Sequence, residues 1–176
     1  MKKICFAAFV LALMASCKNL VPYSDALKTK YHLQTTDLMR VQFYVSDPVV
    51  LQRKVTDAAN AQVVQGKVKI VNGESVEEVI IPRGTPGVLV RDSAGKMSIS
   101  FEKNDDHFLR FGPNPDKRNR YVLLASDWRN RVGVVNYAGE QFYTSPESSD
   151  AELLIDLRRI EKFSKNERVA GGRKVN

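Results

Sequence analysis

Short runs of alternating apolar and polar residues dominate the chain between residues 41 and 147. Met97-Ser98-Ile99-Ser100-Phe101 alternates at every position, and from Val64 to Ile70 the even-numbered residues form the apolar face. A period of two places successive side chains on opposite faces of a β-strand, so that one face can be buried. Asn72-Gly73 follows, and both residue types tolerate the positive φ angles of a type I′ turn. The pattern therefore predicts a hairpin around residues 72 and 73.

The whole pattern predicts a mainly β fold. Turn signals rich in glycine, proline and asparagine separate the apolar runs at close intervals, without strand–helix–strand alternation. Many short strands with close turns indicate an antiparallel barrel or sandwich, an SH3-like form included. The predicted strands span residues 41–45, 49–55, 61–71, 76–81, 88–90, 97–101, 107–111, 121–125, 132–137 and 141–144.

Residues 149–165 fit two patterns at once. An alternation typical of a strand runs through Leu153, Ile155 and Leu157. Helical spacing, with Ser149 as a candidate N-cap, connects four apolar residues: Leu153, Leu154, Leu157 and Ile160. We favour the helix, because Asp150 and Glu152 would lie in its first turn, where the helix dipole favours acidic side chains.

The first seventeen residues resemble an export signal. Lys2-Lys3 precede the apolar run Ile4–Met14, and the small residues Ala15-Ser16 follow it. The apolar run is shorter than the about 20 residues that a membrane-spanning helix needs, so we expect it to be removed. Met14-Ala15-Ser16-Cys17 resembles the lipobox of bacterial lipoproteins, in which the cysteine is diacylated and cleavage exposes its amino group. The alternative is an ordinary secretory signal with Cys17 near the cut by chance.

Four segments follow from this interpretation. They are a signal peptide (1–16), a short tether (17–33), a β domain (34–147), and a C-terminal helix or strand with a basic tail (148–176). Cys17 is the only cysteine after residue 16, so anchorage is the role that we expect for it. Two or three acyl chains hold a protein stably at a membrane, whereas one chain holds it only marginally.

The formal net charge of +7 is concentrated at the C-terminal end. Residues 17–157 carry equal numbers of cationic and anionic side chains, and the basic tail outweighs Glu161 and Glu167. Such a tail favours anionic lipid, an acidic partner or peptidoglycan, although a solvated tail without a partner fits equally well. Export argues against nucleic acid. The basic tail residues are Arg158, Arg159, Lys162, Lys165, Arg168, Arg173 and Lys174.

Catalytic and metal-binding motifs are scarce. His32 and His107 are the two histidines, and Asp105-Asp106-His107 is the one candidate metal cluster. Consecutive strand residues point to opposite faces, so these three side chains are poorly placed to converge on an ion. We predict no metal, no cofactor and no enzymatic activity. A carboxylate pair for glycoside cleavage stays open, because its separation is a three-dimensional quantity.

Aromatic and arginine side chains concentrate in the second half of the chain. Trp128 lies in Asp127-Trp128-Arg129-Asn130, between two predicted strands, where it is either a plug over the core or a stacking platform. Exposed aromatic and arginine side chains together are typical of binding surfaces. A core position is the competing interpretation for the aromatic residues within strands. The candidate binding residues are Trp128, Arg129, Arg131, Tyr121 and Phe111.

Four further segments carry a family resemblance: residues 41–47, 111–115, 121–128 and 172–175. Together with the lipobox, they make the chain similar to small lipoproteins of Bacteroidota-type bacteria that have no assigned activity. The resemblance implies a Gram-negative envelope and the outer membrane, since Lys18 is not the aspartate that retains lipoproteins at the inner membrane. Lys18-Asn19-Leu20 also lacks the acidic residues of surface-exported relatives, which favours the periplasmic face.

Three functional hypotheses result. The first is a lipid-anchored, non-catalytic accessory protein that docks onto an outer-membrane or periplasmic protein complex. The second is a peptidoglycan- or glycan-binding module that uses Trp128 and its aromatic neighbours together with the basic tail. The third is a hydrolase with an unrecognised pair of carboxylates.

Overall fold

The computed structural model describes residues 19–55 and 66–164, excepting the side chains of residues 163 and 164. Within these ranges the chain folds into two antiparallel sheets, and the mainly β prediction is confirmed. Of the two predicted architectures the structure adopts the sandwich-like one, because the described strands do not close into a barrel. Cys17 and residues 61–65 of a predicted strand lie outside the described ranges.

The strands of each sheet are given in spatial order. The seven-stranded sheet runs β1 (Leu20–Pro22), β13 (Leu153–Asp156), β2 (Phe43–Val45), β6 (Pro86–Ser93), β7 (Lys96–Ser100), β8 (Phe108–Asn114) and β9 (Arg120–Leu123). The six-stranded sheet runs β10 (Asp127–Arg129), β11 (Val132–Tyr137), β12 (Glu140–Thr144), β3 (Val49–Lys54), β5 (Glu74–Ile81) and β4 (Lys67–Val71). The described helices are α1 (Asp25–Lys30), α2 (Thr35–Leu38) and α3 (Leu157–Ser164), and 3₁₀ turns span Pro115–Lys117 and Pro146–Asp150.

One apolar core lies between the sheets. Phe43, Phe111 and Leu153 contribute from the seven-stranded sheet, and Leu51 and Phe142 contribute from the six-stranded sheet. All five side chains are completely buried. Burial of each such side chain contributes about 1.5–3 kcal/mol to folding, so this shared core is what joins the sheets.

The segment predicted as a tether belongs to the folded domain. From residue 20 onward it forms β1 and α1, and β1 pairs antiparallel with β13. Ser24 caps α1 by accepting a hydrogen bond from the Leu27 amide at 3.3 Å, and Tyr23 is completely buried. Sequence reasoning missed β1 because the strand is only three residues long and contains Pro22, which an edge strand tolerates.

The C-terminal segment forms a strand and then a helix, so each of its two patterns describes one part of it. Residues 153–156 form β13 between β1 and β2, and the helix α3 begins only at Leu157. The predicted helix start was therefore wrong, and Ser149 lies in a 3₁₀ turn. The strands on both sides of β13 satisfy its backbone hydrogen bonds, and Leu153 and Ile155 are buried in the core. A helix over the same residues would lose this pairing with the two neighbouring strands.

The outer strands of the two sheets differ in their contacts and in their exposure. In the seven-stranded sheet, the Tyr121 amide of β9 donates to the Tyr23 carbonyl at 3.0 Å. The Leu123 amide likewise donates to the Ala151 carbonyl at 2.9 Å, so β9 approaches the segments beside β1 and β13. In the described part of the six-stranded sheet, β10 and β4 are outer strands, and all five residues of β4 are exposed.

Candidate functional site

Two of the five predicted binding residues lie in the core. Phe111 is completely buried, and Tyr121 is 2% exposed. The Tyr121 hydroxyl donates a hydrogen bond to Asp25 Oδ1 at 3.0 Å, which joins β9 to α1. These two aromatic side chains stabilise the domain and do not share a surface with Trp128.

Trp128 lies on the outer strand β10, not in a loop. It faces Gly133 of β11 across the sheet, and 37% of the residue is exposed. A methyl group at Gly133 would lie 2.7 Å from Trp128 Cζ3, so the indole rests directly on this bare stretch of backbone. The ring thus covers the end of the sheet and still presents part of its surface to solvent.

The two arginines near Trp128 are engaged by carboxylates of the same chain. Arg129 Nε donates to Asp127 Oδ2 at 2.8 Å. Arg131 pairs with Asp150 through Nη2 and donates from Nε to the Pro146 carbonyl at 3.3 Å. Their charge is therefore largely offset, and the predicted patch of aromatic and arginine side chains reduces to one partly exposed indole.

The described part of the basic tail lies beside the N-terminal end of the domain. The Leu157 amide donates to the Asn19 carbonyl at 3.0 Å, and Leu20 pairs with Asp156. Ile160 is buried and fixes α3 to the domain, while Arg158, Arg159 and Lys162 are exposed. We call this region the anchor end: residues 19–20 together with α3. The other predicted tail residues, Lys165, Arg168, Arg173 and Lys174, lie outside the described ranges.

A groove of about 680 Å³ crosses the outer face of the six-stranded sheet. Tyr143 is 51% exposed within it, and its cross-strand partner is Gln52. An exposed aromatic ring beside planar amides can stack on a flat ligand and also hydrogen-bond to it. We call it the sheet groove; its lining residues are Gln52, Arg53, Lys54, Val71, Asn72, Glu74, Val76, Glu140, Gln141 and Tyr143.

The charges of the sheet groove are paired with one another. Lys54 Nζ lies 2.7 Å from Glu74, and Arg53 Nη1 lies 3.1 Å from Glu140. The hydrolase hypothesis requires two carboxylates in a cleft, and these are two. A general acid of the lysozyme type, however, needs a carboxyl enclosed by apolar groups. Glu74 and Glu140 are half-exposed and bonded to cations, so this pair does not meet that requirement.

A buried glutamate lies beneath the groove. Glu77 is completely buried, and its Oε2 accepts from Arg53 Nε at 2.7 Å. Its Oε1 accepts from the Gly66 amide at 3.2 Å. A buried carboxylate needs such partners because leaving water is costly. Arg53 therefore connects the interior of the sandwich to Glu140 at the groove surface.

His107 is held between carboxylates and an aromatic ring. Its Nδ1 lies 2.6 Å from Glu102 Oε2, its Nε2 lies 3.7 Å from Asp106 Oδ1, and its ring centroid lies 5.5 Å from that of Tyr137. Burial, followed by the nearby Glu102 carboxylate, raises the pKa of Tyr137. Within the described ranges no group of three or more His, Cys, Asp or Glu side chains is arranged to hold a metal ion.

Sequence reasoning missed the sheet groove. The alternation around Phe142 does place Tyr143 on the opposite face of β12. Which of these faces is buried, however, depends on the pairing of β12 with β3, and Gln52 is distant in the sequence. The exposed aromatic that shares a groove with amides is therefore Tyr143, and the predicted Trp128 lies outside the groove lining.

Comparison with known proteins returned no relatives. No protein-family model, no curated protein and no solved structure matches this chain. None of the helices in the described ranges is long and apolar enough to cross a membrane.

Proposed function

We propose that the protein is a lipid-anchored, non-catalytic accessory protein of a Gram-negative envelope, tethered through Cys17 to the periplasmic face of the outer membrane. It docks there onto an outer-membrane or periplasmic protein complex. The observation that supports this best is the hydrogen bond from the Leu157 amide to the Asn19 carbonyl. The cationic helix α3 therefore begins beside Asn19, which follows the proposed anchor residue Cys17 by two positions.

The anchor end suits a charged bilayer surface. Cys17 precedes Asn19 by two residues, so at most about 7 Å of extended chain separates them. Each cation close to an anionic surface contributes about 1 kcal/mol to binding. Arg159 and Lys162 are exposed at this end, and Arg158 is exposed with its Nε 3.7 Å from Asp156 Oδ1, so its charge is partly offset. Lipid plus basic residues form the two-part signal that gives stable attachment.

The β4 strand is the docking surface in this proposal. It is an outer strand of the described sheet, and Val68 and Ile70 are 44% and 79% exposed. A strand with unpaired backbone groups and exposed apolar side chains can accept an extended segment of another protein. The occupant is thus an extended, apolar segment of an envelope protein that extends the six-stranded sheet.

Photocrosslinking in intact cells tests the docking. A photoreactive amino acid at Ile70 should give a discrete adduct with an envelope protein. The same residue at Met39, which is also exposed, is the matched control and should give no such adduct. Equal adducts at both positions, or none at Ile70, would contradict the proposed surface.

The anchor has an independent test. Metabolic labelling with an alkyne fatty acid should mark the native protein, and Cys17→Ser should remove the label and release the protein from the membrane fraction. An unlabelled native protein would show that residues 1–16 act as an ordinary secretory signal. The docking result does not depend on this outcome, because β4 is part of the folded domain.

A second candidate function is glycan binding in the sheet groove. It is favoured by the exposure of Tyr143 beside Gln52 and Gln141, since stacking and amide hydrogen bonds suit a sugar ring. Sedimentation with purified peptidoglycan tests it. Tyr143→Ala should abolish co-sedimentation and Trp128→Ala should leave it intact; the opposite result would move the platform to the indole.

A further inference from the structure

A second concave site lies where the two sheets meet. A cleft of about 600 Å³ is bounded by β8 of the seven-stranded sheet, by β11 of the six-stranded sheet and by the crossing segment between them. This volume is in the range of small-molecule sites. We call it the junction cleft; its lining residues are Lys96, Phe108, Leu109, Arg110, Leu124, Ala125, Ser126, Val134, Val135, Asn136 and Gln141.

The charges of the junction cleft are all positive. Lys96 and Arg110 are its charged lining residues, and no carboxylate is among the described residues that line it. Within the described ranges neither side chain forms an ion pair, in contrast to Lys54 and Arg53 of the sheet groove. Two cations without protein counter-charges in one concave site attract an anion, and a guanidinium can bind a carboxylate or phosphate through two hydrogen bonds.

A third cation stands beside this pair. Arg91 faces Ser98 across the sheet, and Ser98 faces Arg110, so both arginines occupy one row on the same face. The Arg91 guanidinium lies 5.8 Å from the centre of the Phe108 ring, which lines the cleft. The positive potential therefore extends from Arg110 along the mouth of the cleft.

The remaining wall is mostly apolar. Phe108, Leu124 and Val134 offer hydrocarbon surface, and Asn136 and Gln141 add neutral hydrogen-bonding groups. An inorganic anion alone would leave this surface unused. We propose that the junction cleft binds an amphiphilic anion, with its carboxylate or phosphate head at Lys96 and Arg110 and its hydrocarbon part against Phe108, Leu124 and Val134.

The single tryptophan provides a readout for this site. Trp128 and Ala125 both lie within 3 Å of the position that a Gly133 side chain would occupy, and Ala125 lines the cleft. An occupant should therefore change the indole fluorescence. The mature chain with Cys17→Ser retains every described residue and needs no detergent, so it suits titration with short amphiphiles.

The titration uses decanoate below its micelle-forming concentration. Saturable binding is expected, and it should weaken about tenfold in either Lys96→Gln or Arg110→Gln, as loss of one charge-assisted hydrogen bond predicts. Lys67→Gln, an exposed strand lysine of the other sheet, is the matched control and should bind as the parent does. Asn136→Phe should block the cleft without removing a charge.

Two further probes decide the chemistry. Decanol should bind far more weakly than decanoate, and acetate should not bind at millimolar concentration, because head and chain are both required. Equal affinities for decanol and decanoate, unchanged binding in both charge variants, or no saturable binding by decanoate would overturn the proposal.

A separate comparison distinguishes the possible sources of the anion. Decyl phosphate and phosphatidylglycerol vesicles are compared with decanoate by calorimetry, again with Arg110→Gln. Arg110-dependent binding to vesicles supports a membrane phospholipid as the source. Arg110-dependent binding of the soluble amphiphiles alone supports a free fatty acid or a released lipid.

Discussion

The seven-stranded and six-stranded sheets share one core, but their outer strands differ in how far other parts of the chain cover them. In the first, β9 is hydrogen-bonded to the segments beside β1 and β13, so its outer strands are partly engaged with each other. In the second, β4 carries five exposed residues at the outer edge of the described sheet. The outer strands of the first sheet are thus partly covered, whereas the described outer strand β4 of the second sheet is exposed.

The same contrast holds for charged groups. The buried carboxylate Glu77 and the groove pairs Arg53–Glu140 and Lys54–Glu74 all belong to the six-stranded sheet. Beside the seven-stranded sheet, Tyr23, which follows β1, packs against Tyr121 of β9, and their ring centroids lie 4.8 Å apart. Both sheets contribute apolar side chains to the core, and the six-stranded sheet adds the charge network around Glu77, so mutations should reveal different sensitivities.

The largest expected effect is loss of packing at Tyr23. Tyr23→Ala should lower the free energy of unfolding by about 3–5 kcal/mol, because the completely buried ring packs against Phe43 and Tyr121. Urea denaturation measures the change. A loss below about 1 kcal/mol would show that the N-terminal segment is a tether after all.

The second-largest loss of stability is expected in the charge network of Arg53 and Glu77. Arg53→Met should cost about 3 kcal/mol, because it removes the guanidinium that lies 2.7 Å from the buried carboxylate of Glu77. Adding Glu77→Leu should recover much of that loss, since the buried charge is then gone. If the double variant is as unstable as the single one, packing rather than charge would be responsible.

Alkaline pH should weaken the seven-stranded sheet. Burial, with the nearby carboxylates Asp25 and Asp92 as further causes, raises the pKa of both Tyr23 and Tyr121 above the ordinary value of 10.0. The unfolded chain then loses these protons first, so stability is complete below about pH 10 and declines as the pH rises toward the folded pKa values. Denaturation at about pH 8 and about pH 11 measures the decline, and Tyr23→Phe should reduce it.

A matched pair of hydroxyl deletions should differ by about 1 kcal/mol. Tyr121→Phe removes the bond to Asp25 and should be destabilising. Tyr23→Phe should be neutral or stabilising, because the buried Tyr23 hydroxyl has no hydrogen-bond partner among the described residues. Equal losses in thermal unfolding would mean that the Tyr23 hydroxyl is hydrogen-bonded in solution.

The smallest effect on folding is expected at the outer edge. Ile70→Ser should change stability by less than about 0.5 kcal/mol, because the side chain is 79% exposed. In the proposed role, the same variant should lose its envelope partner. A strongly destabilised Ile70→Ser protein would show that β4 is packed in solution and would remove it as a docking surface.

Local signals predicted much of this fold. Asn72 and Gly73 adopt φ angles of 50° and 82° between β4 and β5, as the turn signal requires. The strand around Met97 followed from its alternation, and the strand around Phe142 was predicted as a short apolar run after a turn signal. By contrast, β1 and β10 have three residues each, too few for a period. The strand β1 is fixed by the distant β13, whereas β10 forms a hairpin with the adjacent β11.

The binding surfaces were harder to predict for a related reason. In the sequence, Phe111 and Trp128 are both aromatic residues of a β-rich region. In the structure, Phe111 is fully buried, whereas Trp128 lies on an outer strand and is 37% exposed. Whether Arg131 is neutralised by Asp150, or Arg110 is left without a counter-charge, depends on tertiary distances. Residue type indicated chemistry, and only the packing showed which groups are available.

The pairing of β1 with β13 also bears on the order of folding. These strands lie near the two ends of the chain, and Leu20–Pro22 pair with Leu154–Asp156. A chain that emerges from a ribosome or a translocon N-terminus first therefore releases β1 long before its partner strand. Completion of the seven-stranded sheet must wait until nearly the whole polypeptide has emerged, so this topology delays the final fold to the end of synthesis.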